Sequence, residues 1–238
     1  SRKFRNSRAN RLTHYYPENI IITVAGNVKE KEVDQLVEKY FGSLKAVAKS
    51  DFVQSKFVVD QNSYKLKLHP KKKEQAHFIL GFFSEGRGYS GRFAQSILSA
   101  IMGNGMSSRL FIEVRERRGL AYSVRSSVDR YDEVGYFSTY AGVDPTKAEE
   151  AVKIILDQCY GMANGKYPIS KEEFKKAKEF IKGHLALALE DTKDVSSFFG
   201  EQALFLQNPI TPMEVYKQIE KVTVDQVLNE AKKIFDPK

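Results

Sequence analysis

One cysteine, Cys159, is all the chain has. An intrachain disulfide is excluded, and such thin thiol usage fits a reducing compartment. Cys159 falls on an apolar helical face in AVKIILDQCYGM, where a buried inert thiol is expected rather than a nucleophile. No apolar run approaches the roughly 18 residues of a membrane-crossing helix; NIIITVAG and FILGFF are of strand length. The basic stretch SRKFRNSRANRL leads into no apolar segment and so does not read as a secretory signal. With no initiator Met before it, a processed or cut piece of something longer is the expectation.

Metal-ligand spacing is also missing. Among the histidines His14, His69, His77 and His184 no two stand three or four residues apart, and neither H-x-x-E-H nor C-x-x-C occurs. His77, in an apolar strand, reads as a hydrogen-bonded core or edge residue; His184, on a helix, reads as structural. There is no G-x-S-x-G elbow and no Walker loop. GNGMSS joins two helices instead of a strand and a helix, which makes it a poor phosphate cradle.

What the chain does have is a globular composition: 238 residues, 42% hydrophobic and 29% charged. That length holds one large domain, or one domain and a fragment of another. The net charge of +8 is spread through mixed-sign segments such as VKEKEVDQLVEKYF, the pattern of solvated helix faces. Only HPKKKEQ is a local basic cluster, placed as a turn, so no nucleic-acid partner is expected.

Along the chain, residues 19–26 read as a buried strand, followed by an amphipathic helix that stops at Gly42. Residues 49–63 read as a linker. Residues 64–69 alternate as a strand, QAHFILGFF is a near-continuous apolar strand, and YSGRFAQSILSAIMG is a helix ended by Gly103. SSRLFIEVRERRG is a second helix with Ser107 or Ser108 as its N-cap, and the strands AYSVRSSV and GYFSTYAGV follow. After Pro145 the chain is helical, with Asp144 capping and Ser170 and Glu173 spaced as a capping box. Strands followed by a run of helices predict an α+β fold, a largely antiparallel sheet covered on one face by helices. ANRLTHYYPEN and NEAKKIFDPK form a faint internal echo, each ending a helical stretch with an aromatic and a proline.

The stretch RERRGLAY holds the chain's most pointed chemistry. Leu110, Phe111 and Val114 form an apolar stripe, leaving Arg115 at its edge and Arg117 further out. One reading is structural: cations in a last turn complement the helix dipole, Gly119 is a C-terminal stop, and Tyr122 shares a strand face with Val124, Ser126 and Val128. The other is that Arg115 and Tyr122 form a site.

The second reading gains weight from a resemblance. LSAIMGNGMSSRLFIEVRERRGLAYSVRSSVDRYDEVGYFSTYAGVDPTKAEEAV resembles the second domain of the insulinase / mitochondrial processing peptidase (pitrilysin-like) family of zinc metallopeptidases. HYYPENIIITVAGNVKEKEVDQLVEKYFGSL resembles the end of that family's first domain, and ISKEEFKKAKEFIKGHL and IEKVTVDQVLNEAKKIF fit the later helices. The resemblance implies the LuxS/MPP-like metallohydrolase fold. Residues 1–48 would then be the end of a first, zinc-type domain and 64–238 a second, substrate-gripping domain. It implies that Arg115 and Tyr122 contact the peptide carbonyl as negative charge develops on its oxygen, an interaction typically worth 10²–10³ in rate per donor. Zinc belongs, by the same resemblance, to an H-x-x-E-H domain absent from this sequence, so no metal or cofactor is expected in this chain and no hydrolysis by it alone. The implied partners are a peptide substrate and a zinc-bearing half-domain or homologous subunit, a dimer being one arrangement; no membrane partner is expected. A non-catalytic partner subunit or core protein of the same fold is the alternative. A bacterial cytoplasm is the expected location, with the mitochondrial matrix as alternative.

Overall fold

Alternation of side chains decides what each strand buries in the computed structural model, which describes residues 15–45, 61, 63–71, 73–206 and 208–236. Strand β1 spans Ala76–Ser84, β2 Ala121–Arg130 and β3 Gly135–Val143, in the antiparallel order β1-β3-β2. Ala76 pairs with Val143 and Ser84 with Gly135, while Arg130 pairs with Gly135 from the other side. On the covered face Phe137, Thr139 and Ala141 of the central strand are fully buried. The other face carries His77, Ile79, Phe83, Tyr136 and Arg125, of which Ile79 is 69% exposed. QAHFILGFF therefore makes a half-buried antiparallel strand, not one covered on both sides.

Helices α2 (Arg92–Gly103), α3 (Ala148–Ala163), α4 (Lys171–Ala188), α6 (Pro212–Lys221) and α7 (Val224–Ile234) follow the expected helical stretches; α1 (Glu30–Phe41) and α5 (Thr192–Phe205) complete the series. Against the covered sheet face α2 buries Ile97, Leu98, Ile101 and Met102. Phe235, just past α7, meets the rings of Phe82 and Phe137 edge-on at 5.1 and 5.0 Å. Each fully buried Ile, Leu or Phe here is worth roughly 1.5–3 kcal/mol of transfer free energy. The sheet covered on one face matches the expected α+β architecture.

Polar caps fix where the helices begin. Asp144 Oδ1 accepts the Thr146 backbone N–H at 2.8 Å, and Ser170 and Glu173 cap each other reciprocally. A second such box, Thr223 with Gln226, opens α7. Buried Lys178 donates to the Glu220 and Val222 carbonyls at 2.8 and 2.9 Å, closing the end of α6. At the far end of the sheet, buried Glu230 accepts from Tyr89 and Gln95 at 2.6 and 3.0 Å. Arg130 bonds Gln95, Ser96 and the Arg92 carbonyl beside it. Burial first, then the charge of Arg92, pushes the Arg130 guanidinium down to about 10.

Cys159 is fully buried on α3 as expected, and burial pushes its thiol up to about 12. A thiol-titrating reagent at about pH 8 is therefore expected to find no reactive group in the folded chain and one per chain in denaturant. Stoichiometric reaction in native buffer would contradict this.

The coordinates divide into two compact units. One comprises the residues up to Ser55 with Leu185–Thr211, and the other Lys56–His184 with Pro212–Lys238. The sheet and its covering helices lie in the second. In the first, residues 20–25 form no strand, correcting the expectation for residues 19–26. Ile21, Ile22 and Val24 are 41–52% exposed, and Thr23 Oγ1 donates to the Ser196 carbonyl at 3.0 Å. An apolar extended run becomes a buried strand only beside another strand, and the described residues offer it none. Neither α1 nor α5 has a buried residue, and Leu36, Tyr40 and Phe41 of α1 are exposed. Residues 64–69 in the second unit likewise form no strand: Tyr64, Leu66 and Leu68 are 73–88% exposed. The N-terminal basic stretch, the first part of the internal echo and nearly all of linker 49–63 lie outside the described residues. Among the described residues no helix is long and apolar enough to cross a membrane.

Candidate functional site

The helix carrying the three arginines is wider than an α-helix. Over Phe111–Glu116 it is a π-helix, with Arg117 N–H bonding the Ile112 carbonyl five residues back. Ser107 and Ser108 do not cap it as expected; Ser108 Oγ instead donates to the Gly105 carbonyl at 2.8 Å. Leu110 and Val114 are fully buried, confirming the apolar stripe. Gly119 ends the turn at φ +57°, a left-handed conformation suited to glycine. The Gly119 N–H bonds the Arg115 carbonyl at 3.0 Å and the Leu120 N–H the Val114 carbonyl at 2.9 Å.

The three arginines then part ways. Arg117 and Arg118 both pair with Glu113, and Arg118 also reaches the Glu113 carbonyl at 2.7 Å. Arg115, exposed, has no carboxylate partner among the described residues; its guanidinium lies 4.9 Å from the Phe111 ring centroid. That contact orients the cation and leaves its N–H donors unused.

Tyr122 is not where strict alternation puts it. Ala121 pairs with Val143 and Ser123 with Gly142, so Tyr122 is the extra residue of a β-bulge. Val124 and Ser126 stay buried, while Tyr122 is 61% exposed and its hydroxyl has no partner among the described residues. The bulge has turned the phenol out of the core face that it was expected to share with Val124, Ser126 and Val128.

Register shows what lies near the bulge. His77 and Ser123 both stand opposite Gly142, so His77, Gly142 and the bulge share one row across the sheet. A Cβ on Gly142 would lie 3.1 Å from Ser123 Oγ and 3.3 Å from His77 Nδ1, tighter than ordinary contact. The row therefore leaves bare backbone between its flanking side chains. On the next row Tyr140 shares a 2.8 Å hydrogen bond with His77 Nδ1, and Arg125 sits 5.1 Å from the Tyr140 ring centroid. His77 is thus an edge-strand residue, one of the two places expected for it. Its part in a polar cluster beside Tyr122 was not foreseen, and the alternation of QAHFILGFF holds the signal that it faces away from the core. His184 lies 4.2 Å from the Phe180 ring, a structural contact as expected.

The π-helical turn packs against β2, and Gly119 reverses the chain between Arg115 and Tyr122. No hydrogen bond or ring contact joins the two side chains. What the chain offers is an uncommitted guanidinium and an uncommitted phenol, seven residues apart, both open to solvent and both suited to an electron-rich oxygen.

The model of the family described as Peptidase M16 inactive domain matches residues 7–181. The chain belongs to this family. It is the C-terminal portion of an M16, pitrilysin-like peptidase, the family whose resemblance the sequence carried. An uncharacterized zinc protease of Mycobacterium tuberculosis is 36% identical over 217 residues, covering 91% of this chain and 49% of the relative. The uncharacterized zinc protease YmxG of Bacillus subtilis is 31% identical over 223 residues, covering 93% of this chain and 53% of its own. The chain thus spans about half the length of the curated relatives it matches. A crystal structure of a protease from Helicobacter pylori superposes with a TM-score of 0.80 at 22% identity, over 99% of this chain and 57% of that one. A chain of complex III2 from Candida albicans has a TM-score of 0.71 at 18% identity, over 87% of this chain and 50% of its own. Both likenesses are of fold.

Proposed function

We propose that this chain is the substrate-gripping portion of a zinc metalloendopeptidase, in which Arg115 and Tyr122 hold the carbonyl oxygen of a bound, unfolded peptide. The observation that carries this reading is the release of both groups from structural duty. Arg115 alone of its trio lacks a carboxylate among the described residues, and a bulge frees Tyr122 from the core. Helix capping explains neither. As charge builds on a carbonyl oxygen, a neutral phenol can donate to it and a guanidinium can add positive potential or hold neighbouring carbonyls.

Zinc does not fit this chain. Among the described residues no three of His, Cys, Asp and Glu gather where they could hold one ion. In this reading the metal belongs to a separate half-domain, in the same polypeptide or in a homologous subunit. Residues 1–48 are then the end of that first domain, and the exposed apolar side chains of residues 20–44 are surface that it covers. The single cysteine accords with a bacterial cytoplasm.

The same fold in a chain of complex III2 leaves room for a second reading, a non-catalytic partner or core protein. The uncommitted Arg115 and Tyr122 favour the peptidase. Mixing the chain with a domain bearing H-x-x-E-H, and following cleavage of an unfolded peptide, separates the two. Hydrolysis by the pair and by neither part alone is expected; cleavage by the chain alone, or none by a stable complex, would defeat the peptidase reading.

A further inference from the structure

Away from the open sheet face, α2, the π-helical turn, α3 and α4 enclose a cleft of about 680 Å³. Its apolar wall includes Ile101, Ile112 and Phe180. Most charges around it cancel in pairs: Arg109 with Glu173, Lys176 with Glu172, and Asp157 with Lys166. Arg117 and Arg118 do not, since the one carboxylate of Glu113 serves both. One positive charge is therefore left over on that rim. Each guanidinium uses only its Nη1 in these bonds, keeping its Nε and Nη2 donors. Asp157 faces the same space but is engaged by Lys166 Nζ at 2.8 Å and Tyr167 Oη at 2.7 Å.

Gln158 supplies an independent observation. The residue is only 8% exposed, it lines the cleft, and its amide makes no hydrogen bond with any described residue. An amide buried without a partner costs about 1–3 kcal/mol, so such a group in a cavity points to something that satisfies it. The Gln158 amide offers a donor and an acceptor together, the complement of a peptide unit.

We propose that this cleft binds the carboxy-terminal end of a short peptide. The terminal carboxylate meets Arg117 and Arg118, the last backbone amide pairs with Gln158, and an apolar side chain rests on Ile101, Ile112 and Phe180. A guanidinium pair suits a carboxylate through parallel N–H donors, and the volume falls in the range of small-ligand pockets. The site involves neither Arg115 nor Tyr122 and is read by binding to this chain alone, so it stands or falls apart from the peptidase reading.

Isothermal titration of N-acetyl-alanyl-leucine into the full 238-residue chain tests it. The free acid is expected to bind saturably with a dissociation constant below about 1 mM. Its C-terminal carboxamide is expected to bind about tenfold more weakly. Gln158→Leu should weaken the free acid about fivefold, and Arg117→Gln by a similar factor. Arg117 is an exposed rim residue, so that variant keeps the fold and the test even if the buried change does not. No saturable binding, equal affinity for acid and carboxamide, or unchanged affinity in Arg117→Gln would overturn the proposal.

Discussion

In a peptidase completed by its zinc-bearing half, Tyr122→Phe is expected to lower kcat by about 10²–10³ while KM moves little. The change removes one hydroxyl and nothing from the fold. Tyr122 is largely exposed and its hydroxyl has no partner among the described residues. Thermal stability should therefore stay within about 0.5 kcal/mol of the parent. A donor that strengthens only as charge accumulates on the carbonyl oxygen acts on the transition state, hence on kcat. Arg115→Ala should cost a similar factor, with part of the loss in KM if the guanidinium also holds neighbouring carbonyls of the bound peptide. Arg115→Lys keeps the charge but loses the planar fork, so it should fall between the two. Steady-state kinetics on an unfolded peptide, with melting curves as control, decides this. Parent-like kcat in Tyr122→Phe would remove the phenol from the chemistry.

The second large effect is on stability. Arg109, in the SSRLF motif, makes a two-pronged ion pair with Glu173, Nε to Oε1 at 2.6 Å and Nη2 to Oε2 at 2.8 Å. It also donates to the carbonyls of Tyr167 and Pro168 at 3.0 and 2.8 Å. Its side chain is 12% exposed and that of Glu173 23%. One guanidinium thus ties the start of the arginine-bearing helix to the loop and capping box that open α4. Arg109→Ala leaves Glu173 and two carbonyls without their shared donor. Breaking a mostly buried pair from one side costs about 3–5 kcal/mol. At roughly 2–4 °C per kcal/mol for a chain of this size, a fall in Tm on the order of 10 °C is expected. Arg109→Lys should recover only part of it, since a single ammonium cannot span both carboxylate oxygens and both carbonyls. A loss below about 1 kcal/mol would show that the pair is not holding these elements.

How far the sequence could be read divides along the range of the interactions involved. Features set by a few adjacent residues were legible: the cap at Asp144, the box at Ser170 and Glu173, the stop at Gly119 and the buried stripe of Leu110 and Val114. The box at Thr223 and Gln226 follows the same spacing and was equally readable. Features that need a distant partner were not. Apolar alternation in residues 19–26 and 64–69 announces a strand, but a strand forms only with a neighbour, and neither stretch has one among the described residues. The buried network of Glu230, Gln95 and Arg130 joins residues up to 135 positions apart and leaves no local trace. At the site itself, the period of two sends Tyr122 inward with Val124. The bulge opposite Gly142 overrules that period, and nothing in AYSVRSSV marks it. The pairing of Arg117 and Arg118 with Glu113, which leaves Arg115 uncommitted, likewise depends on side-chain geometry in a widened turn.

Whether Arg115 and Tyr122 serve the same oxygen is most directly tested by the double variant Arg115→Ala/Tyr122→Phe in the completed peptidase. Groups that stabilise one transition-state charge are not additive, so the double loss in kcat/KM should fall well short of the product of the two single losses. Losses that multiply in full would show two groups acting independently, and would contradict a shared carbonyl.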